Sequence, residues 1–149
     1  MRDFIATNPI LFAALLSWFI AQCLKIPFEY FQSRTIDWSL LLKAGGMPSS
    51  HTALVSATAY SVGLFTGFDT PLFAVALVLA VIVIYDAIGV RREAGRQAVL
   101  LNRIVDDLSR GKFKPQERLK EVLGHTPTEV FSGMFLGLLI AYLVWRSFG

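Results

Sequence analysis

The stretch TPLFAVALVLAVIVIY, residues 70–85, contains no charged residue and no histidine. Three further windows share this property, and they cover residues 4–24, 52–68 and 130–145. A helix that crosses a membrane needs about 20 mostly apolar residues, with a range of about 17 to 25. The pattern therefore predicts an all-α, polytopic membrane protein with about four transmembrane helices.

The composition agrees with this prediction. The chain has 149 residues, of which 54% are hydrophobic and only 17% are charged, whereas about 25% are charged in a typical soluble domain. A soluble bundle of buried helices is the alternative, and the composition disfavours it. Cys23 is the single cysteine, which excludes a disulfide framework and a cysteine-based zinc site. We expect one integral membrane domain over residues 1–149, with a helical insertion at about 91–124.

Basic residues are unevenly distributed between the windows. Of the 14 lysines and arginines, 12 lie in residues 25–50 and 91–126, which a four-span threading puts on one side. The positive-inside rule predicts that this side is cytoplasmic. Residues 22–25 lack a small-x-small cleavage pattern, so we interpret the first window as a retained helix rather than a signal peptide. The predicted location is a bacterial-type inner (cytoplasmic) membrane.

Small residues predict which helices pack closely. Residues 52–67 are rich in Ala, Ser, Thr and Gly, which favours a central helix, and Gly133 with Gly137 predicts a helix contact. That glycine face also makes a homodimer plausible. The almost purely aliphatic residues 70–84 suit a lipid-facing surface. Residues 91–110 are expected to continue as a helix that ends at Gly111, and Pro115 is expected to start a short one.

The first of three polar clusters is KAGGMPSSH, residues 43–51. Glycines and small hydroxyl residues before a helix offer backbone N–H groups and the positive helix end, which together attract anions. The alternative is a tight turn followed by a serine helix cap. A cap alone does not explain why Lys43 and His51 flank the turn.

The second cluster covers residues 85–96. Asp86 ends a long apolar run, and an acidic residue there is a functional candidate. Arg91, Arg92 and Arg96 follow it, and a guanidinium group suits phosphate. The alternative is that these arginines contact lipid headgroups while Asp86 pairs with one of them.

The third cluster, residues 124–129, reads GHTPTE. Thr126, Pro127 and Glu129 form the pattern of a capping box, in which the glutamate bonds back to the helix start. Such a box would place Glu129 beside His125.

The threading puts all three clusters at one membrane face, and they contain both histidines of the chain. Two imidazoles, several cations and two helix N-termini form a set suited to phosphoryl transfer. One histidine attacks phosphorus, the other protonates the leaving oxygen, and the cations neutralise the remaining oxygens.

Residues 48–51, PSSH, resemble the Pro-Ser-Gly-His motif of the type-two phosphatidic acid phosphatase superfamily, which also includes vanadium haloperoxidases. Together with residues 85–92 and 124–127, the chain resembles the small divergent membrane branch of that superfamily. The resemblance implies a membrane phosphatase that needs no metal and no other cofactor. Its expected partners are a phosphorylated lipid substrate and membrane lipids, and not nucleic acid.

The resemblance also implies roles for individual residues. His125 would be the nucleophile that becomes phosphohistidine, Glu129 would orient it in place of the superfamily's aspartate, and His51 would be the general acid. Ser49, Ser50 and the backbone at Gly46 would hold phosphate oxygens. We expect Lys43, Arg91, Arg92 and Arg96 to complete the phosphate-binding set as cations, with Asp86 and Thr126 in supporting positions.

The chain departs from the superfamily pattern in its cations. A Lys followed seven residues later by Arg-Pro is absent before Pro48, which leaves Lys43 as a lone candidate, and Leu119 replaces an arginine six residues before His125. The missing charge favours an alternative, a non-catalytic membrane protein that binds lipid headgroups at an anion site. A metal-dependent site of Asp86, Asp106 and Asp107 is disfavoured, because in a continuous helix Asp86 would lie about 30 Å from the other two acids.

Overall fold

The computed structural model describes residues 7–36, 38–41, 46–108 and 125–149. Five α-helices lie in these ranges: α1 (Pro9–Ser33), α2 (Ser50–Thr66), α3 (Pro71–Ile88), α4 (Val90–Leu108) and α5 (Pro127–Phe148). A short 3₁₀ helix, Trp38–Leu41, lies between α1 and α2. The protein is a helical membrane protein, as its sequence predicts.

Among the described residues, three helices are long and apolar enough to cross a membrane: α1 over Pro9–Phe31, α3 and α5. The fourth predicted span corresponds to α2, which has 17 residues, or about 26 Å at the usual rise per residue. This length is at the lower limit of a membrane-spanning helix. Helix α1 continues beyond the first predicted window, through Lys25 and Pro27, to Ser33.

Helix α2 occupies the centre of the bundle and packs against α1, α3 and α5. The sequence prediction of a close contact at Gly133 and Gly137 is confirmed. A Cβ atom on Gly133 would lie 2.3 Å from the Ser49 carbonyl oxygen, and one on Gly137 would lie 2.4 Å from that of Ala53. Ser17 of α1 also donates a hydrogen bond to the Ala53 carbonyl, at 3.1 Å.

Helix α3 lies at the side of the bundle. Its contacts are mainly with α2, and it touches α5 only slightly. Most of its aliphatic side chains are exposed, and its buried residues are Ala80 and Ala87. This agrees with the predicted lipid-facing surface. Gly89 separates α3 from α4, and α4 confirms the predicted helical continuation as far as Leu108; the predicted helix end at Gly111 and the short helix starting at Pro115 lie outside the described residues.

Candidate functional site

The capping box predicted at the start of α5 is confirmed. The Thr126 backbone N–H donates to Glu129 Oε2 at 3.2 Å, and the Glu129 backbone N–H donates to Thr126 Oγ1 at 3.4 Å. These two bonds satisfy backbone donors that a helix start otherwise leaves unpaired. They also fix the Glu129 carboxylate at the N-terminal end of α5.

The same carboxylate oxygen bonds to His125. The distance between His125 Nδ1 and Glu129 Oε2 is 2.8 Å, and the imidazole is buried, with 6% of its residue surface exposed. A carboxylate accepts hydrogen bonds, so the pairing favours a proton on Nδ1. The lone pair of the neutral ring then lies on Nε2, which makes Nε2 the nucleophilic nitrogen.

His51 lies in the first turn of α2 and shares a small cavity with His125. Helix α3 supplies the opposite wall through Val83, Asp86 and Ala87. The structure therefore brings together both histidines and the acidic residue that the sequence analysis selected. The cavity volume is about 20 Å³, and one water occupies about 10–15 Å³ of such space. A phosphate group needs a wider opening than this.

Backbone contacts explain why the two histidines meet. The Ser49 backbone N–H donates to the Glu129 carbonyl at 2.9 Å, which ties the residues before α2 to the first turn of α5. The missing side chain of Gly133 lets the Ser49 carbonyl approach α5. His51 follows two residues after Ser49, and His125 precedes α5, so this crossing sets the position of both rings.

Lys25 is a site residue that the sequence analysis counted only as an orienting charge. It is 2% exposed and lines a cavity of about 600 Å³ together with Gly46, Thr126 and Glu129. It also interacts electrostatically with Glu129. The signal available in the sequence was a cation that directly follows the uncharged window of residues 4–24, and such a residue is a functional candidate in a membrane protein.

Other predicted phosphate-binding residues lie apart from the histidine cavity. Gly46 has a positive φ of 81° and lies against the Lys25 side chain. Ser49 is fully buried and its hydroxyl caps α2 by accepting from the Thr52 N–H. Neither Ser49 nor Ser50 lines the histidine cavity or the Lys25 cavity.

Among the described side chains, none of the predicted phosphate-binding cations lines the histidine cavity. Lys43 lies outside the described residues. Arg91 and Arg92 lie in the first turn of α4, where the structure describes only the backbone. Arg96 is exposed on α4 and is not among the residues that line either cavity. In the described part of the chain, no group of three or more His, Cys, Asp or Glu side chains is arranged to hold a metal ion.

The fold and the site define a class: a helical membrane protein with a buried histidine–carboxylate pair and a second histidine at one end of the bundle. The chain belongs to the divergent PAP2 family, whose model matches residues 6–140. It is 42% identical to the membrane protein YuiD of Bacillus subtilis (strain 168), over 93% of this chain and 94% of that protein. No solved structure matches the chain significantly.

Proposed function

We propose that the protein is a phosphatase that hydrolyses lipid phosphates or lipid pyrophosphates through a phosphohistidine intermediate. One observation carries the proposal: the bond of 2.8 Å between His125 Nδ1 and Glu129, beside a cavity that His51 also lines. This arrangement supplies a nucleophile, its orienting group and a proton donor without a metal ion. The distribution of basic residues supports a site on the cytoplasmic face.

In the first step, His125 Nε2 attacks phosphorus, so that a P–N bond forms and the bond from phosphorus to the leaving oxygen breaks. His51 gives its proton to that oxygen, and the lipid alcohol or lipid phosphate departs. Glu129 stabilises the positive charge that develops on the His125 ring. Asp86 lines the same cavity, beside both histidines.

In the second step, a water molecule attacks phosphorus, and His51 takes its proton. The P–N bond breaks, inorganic phosphate leaves, and both rings return to their starting states. Lys25 acts through Glu129, because its side chain interacts electrostatically with the carboxylate that orients His125.

The test is phosphate release in detergent from a lipid phosphate and from p-nitrophenyl phosphate. With the lipid, we expect His51→Ala to lose a factor of about 10²–10⁴. With p-nitrophenyl phosphate the loss in kcat/KM, which reports the first step, should be much smaller, since that leaving oxygen needs no proton. His125→Ala should be inactive on both substrates, and Arg146→Ala, at the far end of α5, should match the wild type. Wild-type turnover in His125→Ala would contradict the proposal.

A second candidate function is a non-catalytic binding site for the phosphate groups of lipids. The absent first motif of the superfamily favours it, because fewer cations are then available to stabilise a transition state. Such a protein would bind inorganic phosphate or vanadate and lose that binding in His125→Ala, but it would release no phosphate from any lipid.

A further inference from the structure

An apolar groove lies between α2, α3 and α5. Its volume is about 250 Å³, and Ala80, Val81 and Ile84 of α3 face Met134 and Leu138 of α5 across it. The groove exists because α3 packs on α2 but touches α5 only slightly. Val81 is 57% exposed, so the groove opens sideways to the surroundings of the bundle.

The apolar groove and the histidine cavity lie along the same face of α3. On α3 it is lined by Phe73, Leu77, Ala80 and Ile84, whose spacings of four, three and four residues put them on one helical face. Ala87 follows three residues after Ile84 on the same face and lines the histidine cavity. The cavity and the groove therefore lie end to end along α3.

Three aromatic rings line the end of the groove that is far from the histidines. The Tyr60 and Phe68 ring centroids are 6.1 Å apart, and those of Phe68 and Phe73 are 5.0 Å apart in an edge-to-face arrangement. Gly63 makes room for Phe68, because a Cβ atom there would lie 2.3 Å from that ring. Phe73 and Ile84 are 11 residues apart on α3, which corresponds to a groove length of about 16 Å.

We propose that the apolar groove binds one hydrocarbon chain of the lipid phosphate, and that the aromatic rings at its end limit the length of chain accepted. This inference rests on the proposed function and deepens it. A volume of about 250 Å³ over about 16 Å gives a mean cross-section of about 16 Å², which suits a single extended chain. A phosphate at the histidines directs its chain along α3 into the groove.

The experiment measures phosphate release from monoalkyl phosphates of increasing chain length. For the wild type and substrates dissolved as monomers in water, kcat/KM should rise by up to about fourfold for each added methylene that moves from water into the groove, and it should stop rising once the chain reaches the aromatic end. Phe73→Ala should extend the rise to longer chains.

A matched pair of variants isolates the groove. Val81 lines it, whereas Val78, one turn earlier, does not; the two residues are 57% and 58% exposed. Val81→Phe should lower kcat/KM for long chains and leave the shortest substrate unchanged, and Val78→Phe should behave as the wild type. If kcat/KM depends on chain length in the same way in both variants, or if the wild-type rate does not depend on chain length, the groove does not bind the chain. Either result would leave the proposed phosphatase activity standing.

A binding readout keeps the two proposals separable. If no alkyl phosphate releases phosphate in a His125-dependent manner, the proposed function fails. An alkyl phosphate with a photoreactive diazirine at its chain end then tests the groove directly. Labelling at Tyr60 or Phe73 that Val81→Phe abolishes would support chain binding in the groove. If residues around Val78 are labelled as strongly as Tyr60 and Phe73, the chain only contacts the helix surface from bulk lipid, and the groove proposal is wrong.

Discussion

Helices α2 and α3 are both apolar and nearly equal in length, with 17 and 18 residues, but they have opposite environments. Nine residues of α2 are buried, almost all of them Ala, Ser, Thr or Gly, whereas only two alanines of α3 are buried. In a membrane, apolar side chains gain little from leaving lipid for protein, so close backbone packing decides which helix is central. Small residues at the buried positions of α2 and large aliphatic residues along α3 distinguish the two helices.

The same difference separates two parts of the site. The close α2–α5 crossing fixes His51 and the His125–Glu129 pair. The loosely packed α3 carries Asp86 and one wall of the apolar groove. Since the histidine cavity holds about one or two waters, α3 is the wall that we expect to move when a phosphate enters.

The largest effect is expected where α2 and α5 cross. In Gly133→Leu the new side chain would meet the Ser49 carbonyl, and backbone cannot move aside cheaply, so we expect destabilisation of about 3 kcal/mol or more. Thermal unfolding in detergent measures it. Phe135→Leu, at a position 70% exposed on the same helix, is the control and should keep its unfolding temperature. A stable Gly133→Leu would show that the crossing is not the fixed part of the molecule.

The next largest effect is expected at the carboxylate that orients His125. Glu129→Gln keeps the shape of the side chain but removes the charge that favours the reactive tautomer, so phosphate release should fall by about 10²–10⁴-fold. Glu29 lines the Lys25 cavity, and Glu29→Gln is the matched control. Equal rates for the two variants would remove Glu129 from the mechanism.

A smaller effect is expected at Lys25. Lys25→Met leaves the Glu129 carboxylate without its buried cation, and because that side chain is 21% exposed, we expect a loss of about 1–2 kcal/mol of stability rather than the full cost of a buried unpaired charge. Phosphate release should fall along with it. Chemical denaturation measures the stability. In the Glu129→Gln background, Lys25→Met should lower stability by less than it does in the wild type. An equal loss of stability in both backgrounds would show that Lys25 and Glu129 do not interact.

The smallest effect is expected on the exposed face of α3. Val75 is 67% exposed, and Val75→Leu should change stability by no more than about 0.5 kcal/mol. The corresponding change on α2, Ala57→Leu, at a fully buried position, should destabilise clearly. Similar unfolding temperatures for these two variants would erase the distinction between the helices.

Local patterns predicted much of this arrangement. The capping box at Thr126, the close approach at Gly133 and Gly137, and the exposed surface of α3 follow from residue type and spacing. The meeting of His51, Asp86 and His125 follows from threading alternate helices in opposite directions, which needs no side-chain detail.

Features that depend on tertiary packing were not predicted from the sequence. Lys25 ends an apolar window, so its burial depends on how α1 lies against Gly46 and Glu129. Ser49 is predicted as a phosphate ligand, with a serine helix cap as the alternative, and the depth of the α2–α5 crossing makes it the cap. The width of the histidine cavity depends on the position of α3, which no local motif determines.

The central claim is that His51 and His125 bind one oxyanion together, and vanadate binding tests it most directly. Calorimetric titration of the wild type, His51→Ala, His125→Ala and the double variant in detergent gives a double-mutant cycle. If both rings contact the same ion, the two losses should be non-additive, with a coupling of about 1 kcal/mol or more. Additive losses, or vanadate affinity that neither substitution changes, would contradict a shared site.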